Sequence, residues 1–137
     1  DMETEQLIAA INQLRKEKDA LILAHYYTTS DIQDIADYVG DSLALARKAA
    51  ETKAKIIVMC GVHFMGETAK ILCYDRKVLV PDMNAGCSLA DSCPAADFKA
   101  FVEAHPDYKV LSYVNTTAAV KAVTDIVVTS GNAVQIL

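Results

Sequence analysis

Leu23–Ala44, LAHYYTTSDIQDIADYVGDSLA, and Leu111–Asn132, LSYVNTTAAVKAVTDIVVTSGN, align without a gap when the 137-residue chain is laid over itself at an offset of 88. Six positions coincide: Leu23/Leu111, Thr28/Thr116, Thr29/Thr117, Asp37/Asp125, Val39/Val127 and Ser42/Ser130. Most are polar residues beside apolar runs, where turns and sites sit. The pattern reads as a duplicated site-building unit whose second copy is present in part. It also settles the one ambiguous stretch. Alone, DYVGDSLALARKAA continues a helix. Laid over its counterpart, Tyr38-Val39-Gly40 falls on Ile126-Val127-Val128, a β-branched run suited to a strand. The reading is therefore a short strand at 38–40, then Asp41-Ser42 opening a helix to about Thr52.

Outward from this unit, strands and helices alternate. Glu3 to Lys18 reads as an amphipathic helix with Leu7, Ile8, Ile11 and Leu14 on one face. Ala20–Ala24 is a wholly apolar run, typical of a buried parallel strand. Ser30 with Gln33 fits a capping box for a helix to about Ala36. Strands follow at Ile56–Met59 and Val78–Val80, with a helix over Met65–Leu72 between them. Pro94 suits the first turn of a helix to His105, and Val110–Val114 opens the second unit. The alternation predicts an α/β fold, a three-layer αβα arrangement on a parallel sheet. The expected division is a first α/β domain over 1–93 and the start of a second over 94–137.

A hydrophobic content of 53 % supports a core, and a net charge of −5 argues against a nucleic-acid surface. No apolar run reaches the roughly 18–20 residues that span a bilayer. The first residues form an acidic, polar helix pattern rather than a secretory signal. Reduced thiols and a cytoplasmic location are the expectation. The cysteines at 60, 73, 87 and 93 form no C-x-x-C pair and no zinc-finger spacing. Cys60 and Cys73 lie in apolar patterns and read as small core residues. Cys87 and Cys93 lie in a polar loop, PDMNAGCSLADSCP, where packing gives little reason for a thiol.

Right-handed crossovers bring the carboxyl ends of parallel strands to one edge, the edge where open α/β sheets bind ligands. His25-Tyr26-Tyr27, Asp41-Ser42, Gly61-Val62-His63 and Asp82 through Cys87 all follow strands. His25 is a candidate acid–base or hydrogen-bonding group, and Tyr27 a candidate proton donor. In an extended chain Tyr26 and Tyr27 point oppositely, so one of them packs. Their counterparts to His25 and Tyr27 in the second copy, Tyr113 and Asn115, still form hydrogen bonds, which favours a polar site. Ser42 and Ser130 each read as opening a helix, whose free N–H groups suit carboxylates or phosphates; the plainer reading is that both only cap. Asp31, Asp34 and Asp37 recur every three residues and read as a solvated helix face rather than a cation site. His63 reaches the rim or caps, and His105 reads as structural. No G-x-G-x-x-G, Walker or G-x-S-x-G motif is present.

The runs LAHYYTTSDIQDIADYVGDSLALARKA, GVHFMGETAKIL, KVLVPDMNAGCSLADSC, YVNTTAAVKA and TSGNA resemble the N-terminal region of quinolinate synthases, in that family's order and spacing. The resemblance implies an iron–sulfur enzyme of NAD biosynthesis with three similar α/β domains around a cleft. Such enzymes condense iminoaspartate, supplied by an L-aspartate-oxidising enzyme, with dihydroxyacetone phosphate to give quinolinate. It implies a [4Fe–4S] cluster held by three cysteines, one per domain, with an open iron position acting as a Lewis acid. Carried over by motif, Cys87 is the first cluster ligand. His25, Ser42, Tyr113, Asn115 and Ser130 match substrate-binding positions, and Tyr27 matches a proton-transfer tyrosine. Cys60, Cys73 and Cys93 match no ligand. The other two cluster cysteines lie outside these 137 residues, so this stretch by itself is expected to be inactive and unable to hold a cluster stably.

Two other readings belong to different classes. A non-catalytic α/β module would use its serine-bearing helix starts to capture a small dicarboxylate or phosphate. A thiol-redox domain would use Cys87 and Cys93, but five intervening residues in a loop give no evident tuning of either thiol.

Overall fold

Asp1 starts the first helix, α1 (Met2–Lys18), by accepting the Glu3 N–H at 3.2 Å, and Asp19 ends it in the left-handed region at φ 52°. The computed structural model describes all of residues 1–137. Two compact units divide it, Asp1–Ala85 and Gly86–Leu137.

The first unit is built on β1 (Ala20–His25), β2 (Tyr38–Gly40), β3 (Ile56–Cys60) and β4 (Lys77–Leu79), in one parallel sheet of order β2-β1-β3-β4. The central strand β1 faces β2 from Leu23 opposite Tyr38 to His25 opposite Gly40, and faces β3 from Ala20 opposite Ile56 to Ala24 opposite Cys60. Its last four residues are buried, as a strand covered on both faces requires. The connections are α2 (Ser30–Ile35), α3 (Ser42–Glu51) and α4 (His63–Leu72). The chain steps one way from β1 to β2 and the other way from β2 to β3 and β4. Right-handed crossovers therefore put α2 on one face and the mutually packed α3 and α4 on the other. Leu23, Leu45, Ile57, Met59 and Ala69 form the centre of the core. The α/β architecture read from the sequence is the one observed, and β2 falls at the residues that the repeat assigned to it.

Helix α1 departs from expectation. None of its residues is buried, and Leu7, Ile8 and Leu14 are exposed. Arg15 ties it down instead, with Nη1 donating to Ile35 O at 2.8 Å and pairing with Asp37 Oδ1 at 3.1 Å.

The second unit holds α5 (Ser88–Asp91), α6 (Ala95–Glu103), β5 (Leu111–Tyr113), α7 (Ala118–Lys121), β6 (Ile126–Val128) and α8 (Ala133–Ile136). Its two strands are parallel, with Leu111 opposite Ile126 and Tyr113 opposite Val128. Val120, Val114 and Val128 are buried, while Ile126 and Val127 remain partly exposed. No helix in the chain is long and apolar enough to cross a membrane.

Candidate functional site

In the first unit the rim at the carboxyl ends of the strands is centred on His25, the last residue of β1, beside the switch point between β1 and β3. His25 is only 7 % exposed. Its Nδ1 accepts the Tyr27 N–H at 3.1 Å, so the neutral ring carries its proton on Nε2. Burial holds the imidazole below its ordinary value of 6.5, while the nearby Asp41 charge pulls the other way. The group at the rim is thus a neutral donor. Gly61 follows β3, and a Cβ there would come 2.7 Å from Met65 Sδ, while His25 Cβ would lie at an ordinary 3.6 Å.

Tyr26 and Tyr27 are both exposed, at 61 % and 93 %, so neither packs. The extended geometry that would separate them is absent. Thr28 N–H returns to His25 O at 3.0 Å, placing both tyrosines in a tight turn. The Tyr27 ring stands edge-on to His25 with centroids 4.6 Å apart. The capping box is also absent. Thr29 is the N-cap of α2, and Gln33 Nε2 donates to Tyr26 O at 3.0 Å and Thr28 O at 2.8 Å.

Ser42 is the first residue of α3, but Asp41 is its cap, with Oδ1 accepting the Ala44 N–H at 2.8 Å. The Ser42 hydroxyl therefore has no capping duty and sits half-buried at the helix start. His63 opens α4 and is exposed, and its N–H bonds to Ala85 O at 2.9 Å, which ties the loops after β3 and β4 together.

In the second unit, Cys87 precedes α5, half-buried, and Asn115 Nδ2 donates to its Sγ at 3.8 Å. Two residues that the sequence singles out separately thus meet here. Tyr113 ends β5 and is partly exposed. Ser130 does not open a helix. It is exposed in the turn between β6 and α8, and α8 begins at Ala133 after the Asn132 cap. Asn132 Oδ1 accepts from Thr129 N at 2.7 Å and shapes that turn.

A cluster ligand must be a thiolate. Burial pushes the Cys60 and Cys73 thiols up, and Cys73 Sγ is bonded to Ala69 O at 2.8 Å. Cys73 is a core residue, as expected, whereas Cys60 is half-buried at the end of β3. Cys87 and Cys93 share the polar loop, and Cys87 also has an amide N–H on its sulfur, a setting that suits an iron ligand. His105 is structural, as read. Its Nδ1 bonds Phe101 O at 2.8 Å and its ring stacks on Phe101.

The sequence reading passes over Lys121 and takes Gln33 only as half of a capping box. Gln33 and Lys121 fall in one column of the 88-residue alignment. Both are long side chains ending in N–H donors, and that was the available signal.

The sequence pattern of the quinolinate synthetase A protein family, NadA, matches residues 9–137. The chain is 63 % identical over 131 residues to a quinolinate synthase of Trichormus variabilis, covering 96 % of this chain and 40 % of that protein. It is 60 % identical over 132 residues to the quinolinate synthases of Prochlorococcus marinus strain MIT 9313 and of Cyanophora paradoxa, with the same coverage of 96 % and 40 %. The chain thus spans about two fifths of the length of these relatives.

Proposed function

We propose, from the premise that the chain belongs to the quinolinate synthetase A protein family, that it is the N-terminal portion of a quinolinate synthase of NAD biosynthesis. In this reading the complete protein has three similar α/β domains, of which 1–93 is the first and 94–137 begins the second. It acts in the cytoplasm and condenses iminoaspartate, received from an L-aspartate-oxidising enzyme, with dihydroxyacetone phosphate. The observation that carries the reading is the neutral, Nε2-protonated His25 at the strand-end rim, beside Tyr27 and the start of α3.

Each residue has a role its surroundings support. His25 Nε2–H donates to a substrate oxygen without adding charge. Tyr27 is the group that moves a proton, since its exposed ring stands edge-on to His25 and its backbone is fixed through the same imidazole. Ser42 and the first N–H groups of α3 bind a carboxylate or phosphate. Tyr113, Asn115 and Ser130 are further substrate-binding residues, as the family resemblance implies. Cys87 would hold one iron of a [4Fe–4S] cluster, with the other two cysteines outside these residues. When bound, an open iron position supplies Lewis-acid polarisation for dehydration. Asn115, through its N–H on Cys87 Sγ, orients that sulfur as well as reaching substrate.

The test is anaerobic turnover by the complete, cluster-loaded protein with iminoaspartate and dihydroxyacetone phosphate, following quinolinate. Formation of quinolinate that fails in Tyr27→Phe supports the reading. Tight dicarboxylate binding without turnover by the loaded protein would favour the non-catalytic module instead.

A further inference from the structure

Gln33 and Lys121 differ in charge, length and chemistry, yet they make the same pair of bonds in the two copies. Gln33 Nε2 donates to Tyr26 O at 3.0 Å and Thr28 O at 2.8 Å. Lys121 Nζ donates to Val114 O at 2.8 Å and Thr116 O at 2.5 Å. Val114 and Thr116 are the counterparts of Tyr26 and Thr28 at the offset of 88. Both loops are also closed by a threonine, through Thr28 Oγ1 to His25 O at 2.8 Å and Thr116 Oγ1 to Tyr113 O at 3.0 Å.

The residue between the two clamped carbonyls is Tyr27 in one copy and Asn115 in the other. The bond to Tyr26 O or Val114 O fixes the peptide plane before that residue. The Thr28 or Thr116 N–H, donating to His25 O or Val114 O, fixes the plane after it. The bond to Thr28 O or Thr116 O holds the next plane, so the direction of the residue's Cα–Cβ bond is set. Packing cannot do this for Tyr27, which is 93 % exposed. The bonds survived while the donor changed from a neutral amide to an ammonium. What the two positions share is the end-on N–H donor and nothing else.

We infer that Gln33 and Lys121 are a duplicated pair of positioning residues, each clamping the two carbonyls that flank a reactive or ligand-binding side chain, Tyr27 and Asn115 respectively. The inference rests on the reading of Tyr27 and Asn115 as site residues of the synthase.

The test uses the complete, cluster-loaded protein and four variants. Gln33→Leu and Lys121→Met remove the donors at similar size. Gln33→Lys and Lys121→Gln exchange them between the copies. The clamp predicts that kcat/KM falls about ten- to a hundredfold in the first two, the scale of a misplaced reacting group, and stays near wild type in the exchanged pair. Backbone hydrogen exchange over residues 26–29 and 114–117 should quicken only in the first two. Exchange is read whether or not the protein makes quinolinate, so an inactive wild type would sink the synthase reading and leave the clamp to be judged. Unchanged exchange and activity in Gln33→Leu and Lys121→Met would overturn the inference. So would faster exchange with unchanged kcat/KM. If a donor-less variant fails to fold, the exchanged pair decides: activity in both upholds the clamp, and loss in both folded variants overturns it.

Discussion

Asp37 and Asp125 hold the same bond in their two copies: Asp37 Oδ2 accepts the Ile22 N–H at 2.8 Å, and Asp125 Oδ2 accepts the Val110 N–H at 2.8 Å. The backbone answers in the other direction, from Asp37 N to Ile22 O at 2.8 Å and Asp125 N to Val110 O at 2.9 Å. Ile22 and Val110 are themselves 88 residues apart. Each aspartate thus pins the run entering the second strand of its copy to the first. Asp37 is no part of a solvated helix face, because α2 ends at Ile35 and Arg15 pairs with the carboxylate.

Charge-assisted hydrogen bonds of this kind contribute about 1.5–3 kcal/mol. Asp37→Ala should lose an amount in that range in urea denaturation. Asp125→Ala, whose bond is more exposed, should lose about 1 kcal/mol. The control is Asp34→Ala, an exposed residue of α2. Losses no larger than the control's would show that the repeated bonds do not hold the strands.

Gly66 lies in the buried face of α4, and a Cβ there would come 2.3 Å from Val80 Cγ2, a methyl on a stiff β-branched side chain. Gly66→Ala should therefore cost about 1–3 kcal/mol by overpacking. At Gly131 an added Cβ meets only Thr129 Oγ1 at 3.7 Å, an ordinary contact. Gly131→Ala should be close to neutral in the same thermal melts. Equal effects at both positions would contradict the close approach of α4 to the residue after β4.

The pH dependence follows from His25. Its folded-state value lies below the ordinary 6.5, so the unfolded chain takes up the proton first as pH falls. The contribution is fully present above 6.5 and is lost as pH drops through that value toward the lower folded one. A single proton of difference gives a slope of up to about 1.4 kcal/mol per pH unit. Denaturation between about pH 7.5 and pH 5.5 should thus be steeper for wild type than for His25→Gln. Identical slopes would mean that the imidazole is no more shielded in the fold than out of it.

What the sequence made legible and what it hid divide along physical lines. β2 at Tyr38–Gly40 was readable because its counterpart, Ile126–Val128, is strongly β-branched. The rim around His25 was readable because strand ends in a parallel sheet share an edge. The cap of α3 was readable only as the pair Asp41-Ser42, since the two are neighbours and both are able caps. α5 and α7, four residues each, are too short to show a helical period. The turn at Tyr26-Tyr27 was hidden because it is set by Gln33, seven residues from Tyr26, through a bond that leaves no local signature. Lys121 was hidden for the related reason that an identity search passes over a glutamine replaced by a lysine, although both deliver the same N–H.

The most direct measurement of the central claim is anaerobic reconstitution of the complete polypeptide with iron and sulfide, read by the visible absorbance and iron content of the cluster. Cys87→Ala should fail to assemble a [4Fe–4S] cluster, while Cys60→Ala, Cys73→Ala and Cys93→Ala, where folded, should assemble one. A Cys87→Ala protein with a full cluster would contradict the account.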